Sequence, residues 1–138
     1  MKLPTSISLE WTGELAFRVD ASGGRSIVTD GNGKIGISPV EMLVASVAGC
    51  MAMDVVHILT RSRLSVDACR VRCTGERAQT EPHRLTRVHM AFELEGSIPQ
   101  AQLDRALQRS RDKYCSVWNS LRGDIPLDVT TSIGSRSD

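Results

Sequence analysis

Apolar and polar residues alternate in short bursts over the first thirty positions. In SISLEW, Ile7, Leu9 and Trp11 fall on one side of an extended chain; in LAFRV, so do Leu15, Phe17 and Val19, with Thr12-Gly13 between the two runs. The pattern predicts a β-hairpin with one apolar face. A third run, RSIVTD, comes after SGG, and GNGKIG reads as a flexible connection, so a small antiparallel meander is expected. The period changes at Ser38-Pro39, where serine suits a helix cap and proline the first helical turn. From Pro39 to about Thr60 apolar residues (Met42, Leu43, Val44, Val47, Met51, Met53, Val55, Val56, Ile58, Leu59) lie nearly all round the axis, which predicts a long helix buried on most sides.

Two more strands come next. In CRVRCTGERA, Cys69, Val71 and Cys73 share one face and Arg70 and Arg72 the other. In HRLTRVHMAFELEG, Val88, Met90, Phe92 and Leu94 oppose Leu85, Arg87, His89, Ala91 and Glu93, and TEPH makes the turn between the strands. SIPQAQLDRALQRSRDKY predicts an amphipathic helix with Leu103, Ala106, Leu107 and Ser110 on one face. CSVWNSLRG predicts a second, shorter helix starting near Cys115 and ending at Gly123; IPLDVTTSI predicts a closing strand and GSRSD a loose tail. The order β-β-β, long helix, β-β, helix-helix, β is that of an α+β fold.

A chain of 138 residues is the size of one domain, expected to span residues 1–138. Its 17 Lys+Arg against 16 Asp+Glu leave a formal net charge of +1, so no long-range field points to nucleic acid or an anionic membrane. A small molecule or a copy of the chain is the expected partner. The first fifteen residues lack the apolar core of a signal peptide, and the most apolar stretch carries Glu41, Asp54 and His57, so a soluble cytoplasmic protein is expected. Four cysteines in that compartment argue for free thiols rather than a disulfide scaffold.

The long helix carries one polar line. Cys50, Asp54 at i+4 and His57 at i+7 share a stripe. Cys50 is either a small core hydrophobe, with Asp54 pairing locally to His57 or Arg61, or a nucleophile that needs a nearby cation to hold it as thiolate. If CSVWNSL starts a helix, Cys115 stands at the positive end of its dipole with Arg111 and Lys113 just upstream, and the thiol either has a lowered pKa or is a partly buried junction residue. Cys69 and Cys73 read as core, with no second Cys/His pair at a ligand spacing. No phosphate loop, serine-hydrolase elbow or zinc-protease pattern occurs, and no cofactor or metal is expected.

With SPVEMLVASVAGCMAMDVVHIL on the long helix, VRCTGERA on the strand after it and RDKYCSVWNSL around the second cysteine, the chain from Ile7 to Ile133 resembles the osmotically inducible protein C/organic hydroperoxide resistance (OsmC/Ohr) family, most closely its YhfA-like branch. The resemblance implies antiparallel sheets around a long central helix and an intertwined homodimer with a thiol peroxidase site at the subunit interface. It makes Cys50 the peroxidatic thiolate and Cys115 the resolving thiol, joined in a disulfide after attack on an organic hydroperoxide and restored by an external dithiol. It also calls for a glutamate and an N-terminal arginine to organise the thiolate. The glutamate's position is Val40 here, the acid stands one place later as Glu41, and Arg18 and Arg25 are the candidate arginines. Nine residues of straight helix separate Glu41 from Cys50 by about 13.5 Å. An apolar pocket lined by Met42, Val47, Met51, Met53 and Trp118 is expected. The other class of function compatible with the resemblance is a non-catalytic protein of the same fold that binds a small ligand or senses redox state.

Overall fold

A computed structural model describes residues 2–135. The end of the expected tail, residues 136–138, lies outside the described residues. The elements are β1 (Ser8–Gly13), β2 (Ala16–Asp20), β3 (Ser26–Asp30), α1 (Pro39–Arg61), β4 (Ser65–Arg77), β5 (Leu85–Ser97), α2 (Gln100–Arg109) and β6 (Leu127–Gly134). This is the α+β order expected from the sequence, except that the second, shorter helix expected near Cys115 is not formed. The chain divides into two compact units, one ending at Leu43 and one beginning at Val44.

The first unit is built on an antiparallel meander, β1-β2-β3. Its register sets Leu9 opposite Val19 and Trp11 opposite Phe17, so the alternation in the sequence becomes cross-strand apolar pairs. The hairpin turns through Gly13 and Glu14, both at positive φ, and Trp11 Nε1 donates to Glu14 O at 2.8 Å. The glycine-rich connection after β3 is wrapped round one carboxylate: Asp30 accepts the backbone N–H groups of Asn32 (2.9 Å), Lys34 (3.1 Å) and Ile35 (3.1 Å). Those donors, Asn32's first, hold the Asp30 carboxyl below its ordinary range. The apolar face of the meander stays largely uncovered, with Leu9, Trp11, Leu15 and Ile27 all more than half exposed.

The second unit has a three-stranded sheet in the order β4-β5-β6. Strands β4 and β5 form a long antiparallel pair, but β6 runs parallel to β5, against the expectation of antiparallel sheets. The reason is the connection, which contains α2: a helical crossover returns the chain to the same end of the sheet, where a tight hairpin would reverse it. The buried face of β5 is the predicted one, with Val88, Met90, Phe92 and Leu94 at 1–2% exposure. Leu85 is buried as well, although simple alternation sets it on the opposite face. The register jumps between Glu76↔Arg87 and Arg77↔Leu85, and that bulge changes the phase of the strand. On α2 the predicted stripe of Leu103, Ala106, Leu107 and Ser110 is buried.

Within α1 the buried residues are Val47, Ala48, Met51, Val55 and Leu59, chiefly a single stripe at a spacing of four. The expected burial on most sides is absent from the single chain, and Met53 is 73% exposed. One sheet and one helix can cover only one side of α1. The sheet passes close beneath it: a Cβ on Gly75 of β4 would stand 2.7 Å from Leu85 Cδ2 and 3.1 Å from Val44 Cγ2.

Candidate functional site: a thiol pair beside Asp54

One helical turn separates Cys50 from Asp54, so α1 presents both on the same stripe. Their partners come from the end of α2. Beyond Arg109 the helix widens into a π-helical turn, Ser110–Tyr114, which closes when Cys115 N–H donates to Ser110 O at 2.8 Å. This turn delivers two side chains to α1. Buried Ser110 donates its hydroxyl to Asp54 Oδ2 at 2.8 Å, and the Cys115 sulfur meets that of Cys50. The two Sγ atoms and a carboxylate oxygen of Asp54 all lie within 4.8 Å of one another. Cys50 and Asp54 are half-buried, and Cys115 is fully buried.

Of the two readings of Cys115, its environment supports the buried junction residue and not the acidic thiol at a helix start. Cys115 is extended (φ −73, ψ 99), and the chain beyond it makes only one short 3-10 turn, Trp118–Ser120. The Asn119 side-chain N–H donates to Arg111 O (3.0 Å) and Cys115 O (2.9 Å), and its backbone N–H donates to the same Cys115 O (3.1 Å), so a single turn follows Cys115 and goes no further. Only a single turn follows the sulfur, too short to supply the dipole of a helix. Burial pushes the Cys115 thiol up to about 11; the neighbouring Cys50 and Asp54 add to the rise, and the Trp118 N–H, donating to Sγ at 3.3 Å, partly offsets it. At neutral pH Cys115 is a protonated thiol.

The other residues proposed from the sequence have local engagements. Glu41 closes a capping box at the start of α1: Ser38 N–H donates to Glu41 Oε1 at 2.9 Å while Ser38 Oγ accepts Glu41 N–H at 3.2 Å. The Ser-x-x-Glu spacing of SPVE carries this signal in the sequence. Replacing Ser38 by alanine is expected to destabilise the fold by about 0.5–2 kcal/mol, read from urea denaturation. Arg18 pairs with Glu10 (2.9 Å) and Asp20 (3.1 Å), and Arg25 donates to Ser22 O (3.0 Å) and Oγ (3.2 Å). Cys69 and Cys73 are half-buried on β4, opposite Leu94 and Met90, and burial raises both thiols. Asp54 takes Ser110 as its hydrogen-bonding partner, where His57 or Arg61 was expected. Ser110 was visible in the sequence as the one hydroxyl on the apolar stripe of α2, but its partner was not.

A cavity of about 490 Å³ opens beside Asp54, lined also by His57, Ile58, Arg61, Arg109 and Tyr114. It is more polar than the methionine-lined pocket expected. Met51 and Trp118 line two separate cavities.

The family described as OsmC-like protein matches residues 31–130. Protein YhfA of Escherichia coli K12 is 37% identical over 111 residues, covering 79% of this chain and 83% of YhfA. Among solved structures, a hypothetical protein from Aquifex aeolicus VF5 is similar with a TM-score of 0.89 at 25% identity, covering 99% of this chain and all of that one. An organic hydroperoxide resistance protein from Elizabethkingia anophelis is similar with a TM-score of 0.65 at 19% identity, covering 97% of this chain and 100% of that one, a likeness of fold alone. With the family match spanning well over half of its length, the chain belongs to the OsmC-like protein family.

Proposed function

We propose that this protein is a thiol-dependent hydroperoxide reductase acting on organic hydroperoxides. The observation that carries the reading is the approach of Cys50 Sγ to Cys115 Sγ, within 4.8 Å and so within a small side-chain movement of a disulfide. Cys50, the more exposed of the two, attacks the peroxide as thiolate. Its sulfur takes the terminal oxygen, the O–O bond breaks, and the alkoxide leaves as the alcohol after gaining a proton. Buried Cys115 then attacks the sulfenic sulfur, a disulfide forms, and hydroxide leaves as water with the proton that Cys115 gives up. An external dithiol reduces the bridge by exchange. Adding one equivalent of cumene hydroperoxide to the reduced protein should remove two thiols per chain, and peptide mapping should join Cys50 to Cys115 while Cys69 and Cys73 stay as free thiols. A Cys69–Cys73 bridge, or no loss of thiol, overturns the reading in favour of a non-catalytic ligand-binding or redox-sensing protein.

The same reading includes a homodimer with the site at the subunit interface. Its support is the apolar surface that a single chain leaves open: Leu9, Trp11, Leu15, Ile27 and Ile35 in the first unit, each at least 51% exposed, and Met53 on α1 at 73%. By length and composition α1 could also cross a membrane, with a mean hydropathy of 1.9. Exposed apolar residues on the meander as well as on α1 favour a second copy in a cytoplasmic setting, because both need covering. Light scattering at micromolar concentration is expected to give twice the chain mass, and a monomer would count against this architecture.

A further inference from the structure

We propose that the reduced protein binds one zinc ion between the sulfurs of Cys50 and Cys115 and a carboxylate oxygen of Asp54. These donors lie within 4.8 Å of one another. Zinc holds thiolate sulfur at about 2.3 Å and carboxylate oxygen at about 2.0–2.2 Å, so a tetrahedral site separates its donors by about 3.6–3.8 Å and the three need to close by no more than about 1 Å. Two soft sulfurs and one carboxylate suit zinc better than magnesium or calcium, and three protein donors leave a fourth position open.

The surroundings of the donors supply a second, independent observation. Buried Ser110 donates to Asp54 Oδ2 at 2.8 Å, which orients the carboxylate beside the sulfurs. Trp118 N–H donates to Cys115 Sγ at 3.3 Å, which disperses thiolate charge. Hydrogen bonds of this kind, behind the ligating atoms, fix ligand geometry at metal centres. The cavity of about 490 Å³ reaches the cluster at Asp54 alone of the three donors. A dication also answers the electrostatics of the cluster. Bound to the dication, both sulfurs would ligate as thiolates beside the carboxylate, and the protons they carry would leave.

The site uses residues of the proposed reductase but does not rest on that activity. Reduced, metal-free protein titrated with zinc chloride against a chromophoric chelator is expected to take up one zinc per chain at micromolar protein, and cobalt(II) in its place should show thiolate-to-metal charge transfer and tetrahedral d–d bands. Cys50→Ser and Cys115→Ser should each abolish the charge-transfer signature of a two-sulfur site. Ser110→Ala should weaken binding about ten- to a hundredfold. Asp54→Asn should weaken it at least tenfold, and the Cys69→Ser/Cys73→Ser double variant should bind as the parent does. Circular dichroism melts show that each variant is folded. No uptake at one equivalent, uptake retained in both Cys50→Ser and Cys115→Ser, or uptake lost in the Cys69/Cys73 double variant would overturn the proposal. Peroxide-dependent disulfide formation is read separately on metal-free protein, so failure of the reductase reading leaves the zinc result standing, and the reverse. If both hold, oxidation should expel the ion: two thiolates, one hydroperoxide and two protons give a disulfide, an alcohol and water, and the oxidised protein binds no zinc.

Discussion

Cys50→Ser is expected to reduce hydroperoxide-dependent oxidation to background, while Cys115→Ser should consume one equivalent of hydroperoxide and stop at a sulfenic acid that dimedone traps. The asymmetry comes from burial and charge. Cys115 has no exposed surface, and its thiol is pushed up to about 11, so at neutral pH roughly one molecule in ten thousand carries the nucleophilic thiolate there. Cys50 is half-buried and faces it from α1. On the proposed mechanism, a peroxide that enters from solvent would meet Cys50 first, and Cys115 would attack only after a sulfenic acid had formed beside it, where proximity would replace acidity as the source of rate. Intact-mass spectrometry separates the outcomes: a loss of two hydrogens in the parent, one added oxygen in Cys115→Ser, and no change in Cys50→Ser. If Cys115→Ser gains no oxygen while Cys50→Ser does, the two roles are exchanged.

The largest effect on stability is expected at Phe92. It is the largest of the fully buried side chains, at 1% exposure, and lies on the central strand of the second sheet opposite Val71 of β4 and Thr131 of β6. Phe92→Ala removes a ring from a site whose walls are strands on both sides and so collapse poorly. A loss of about 3–5 kcal/mol is expected, against less than about 0.5 kcal/mol for Arg72→Ala on the exposed face of β4. Urea denaturation with an unchanged m-value checks this. A loss at Phe92 under about 1 kcal/mol would mean that the core repacks, or that the second sheet contributes less to the global transition than its burial implies.

Much of this fold was legible in the chain. Alternation fixed the buried face of β5, the face shared by Cys69, Val71 and Cys73, and the one-sided apolar runs of Leu9 with Trp11 and of Phe17 with Val19, because a strand's period of two is a local property. The helical period placed Cys50 and Asp54 on one line and Ser110 on the buried stripe of α2 in the same way. The Ser-x-x-Glu spacing at residues 38–41 likewise contained its own capping box. The expectations that failed depended on distant neighbours. The segment CSVWNSL looks helical alone, but it closes only one turn, from Cys115 O to Asn119 N–H, with the Asn119 side chain tied back to Arg111 O and the backbone extended at Leu121. The parallel direction of β6 came from the crossover before it, and the missing cover on α1 came from how few elements one chain can lay against a helix.

The chain by itself thus determined which residues share a face, since that is set by backbone geometry a few residues long. Only the tertiary structure decided that Cys50, Asp54, Ser110 and Cys115 meet, and that the second thiol is held protonated rather than activated. Contact and burial between residues 56 to 65 positions apart arise from packing, and a pKa depends on the charges and solvent that packing leaves around the group.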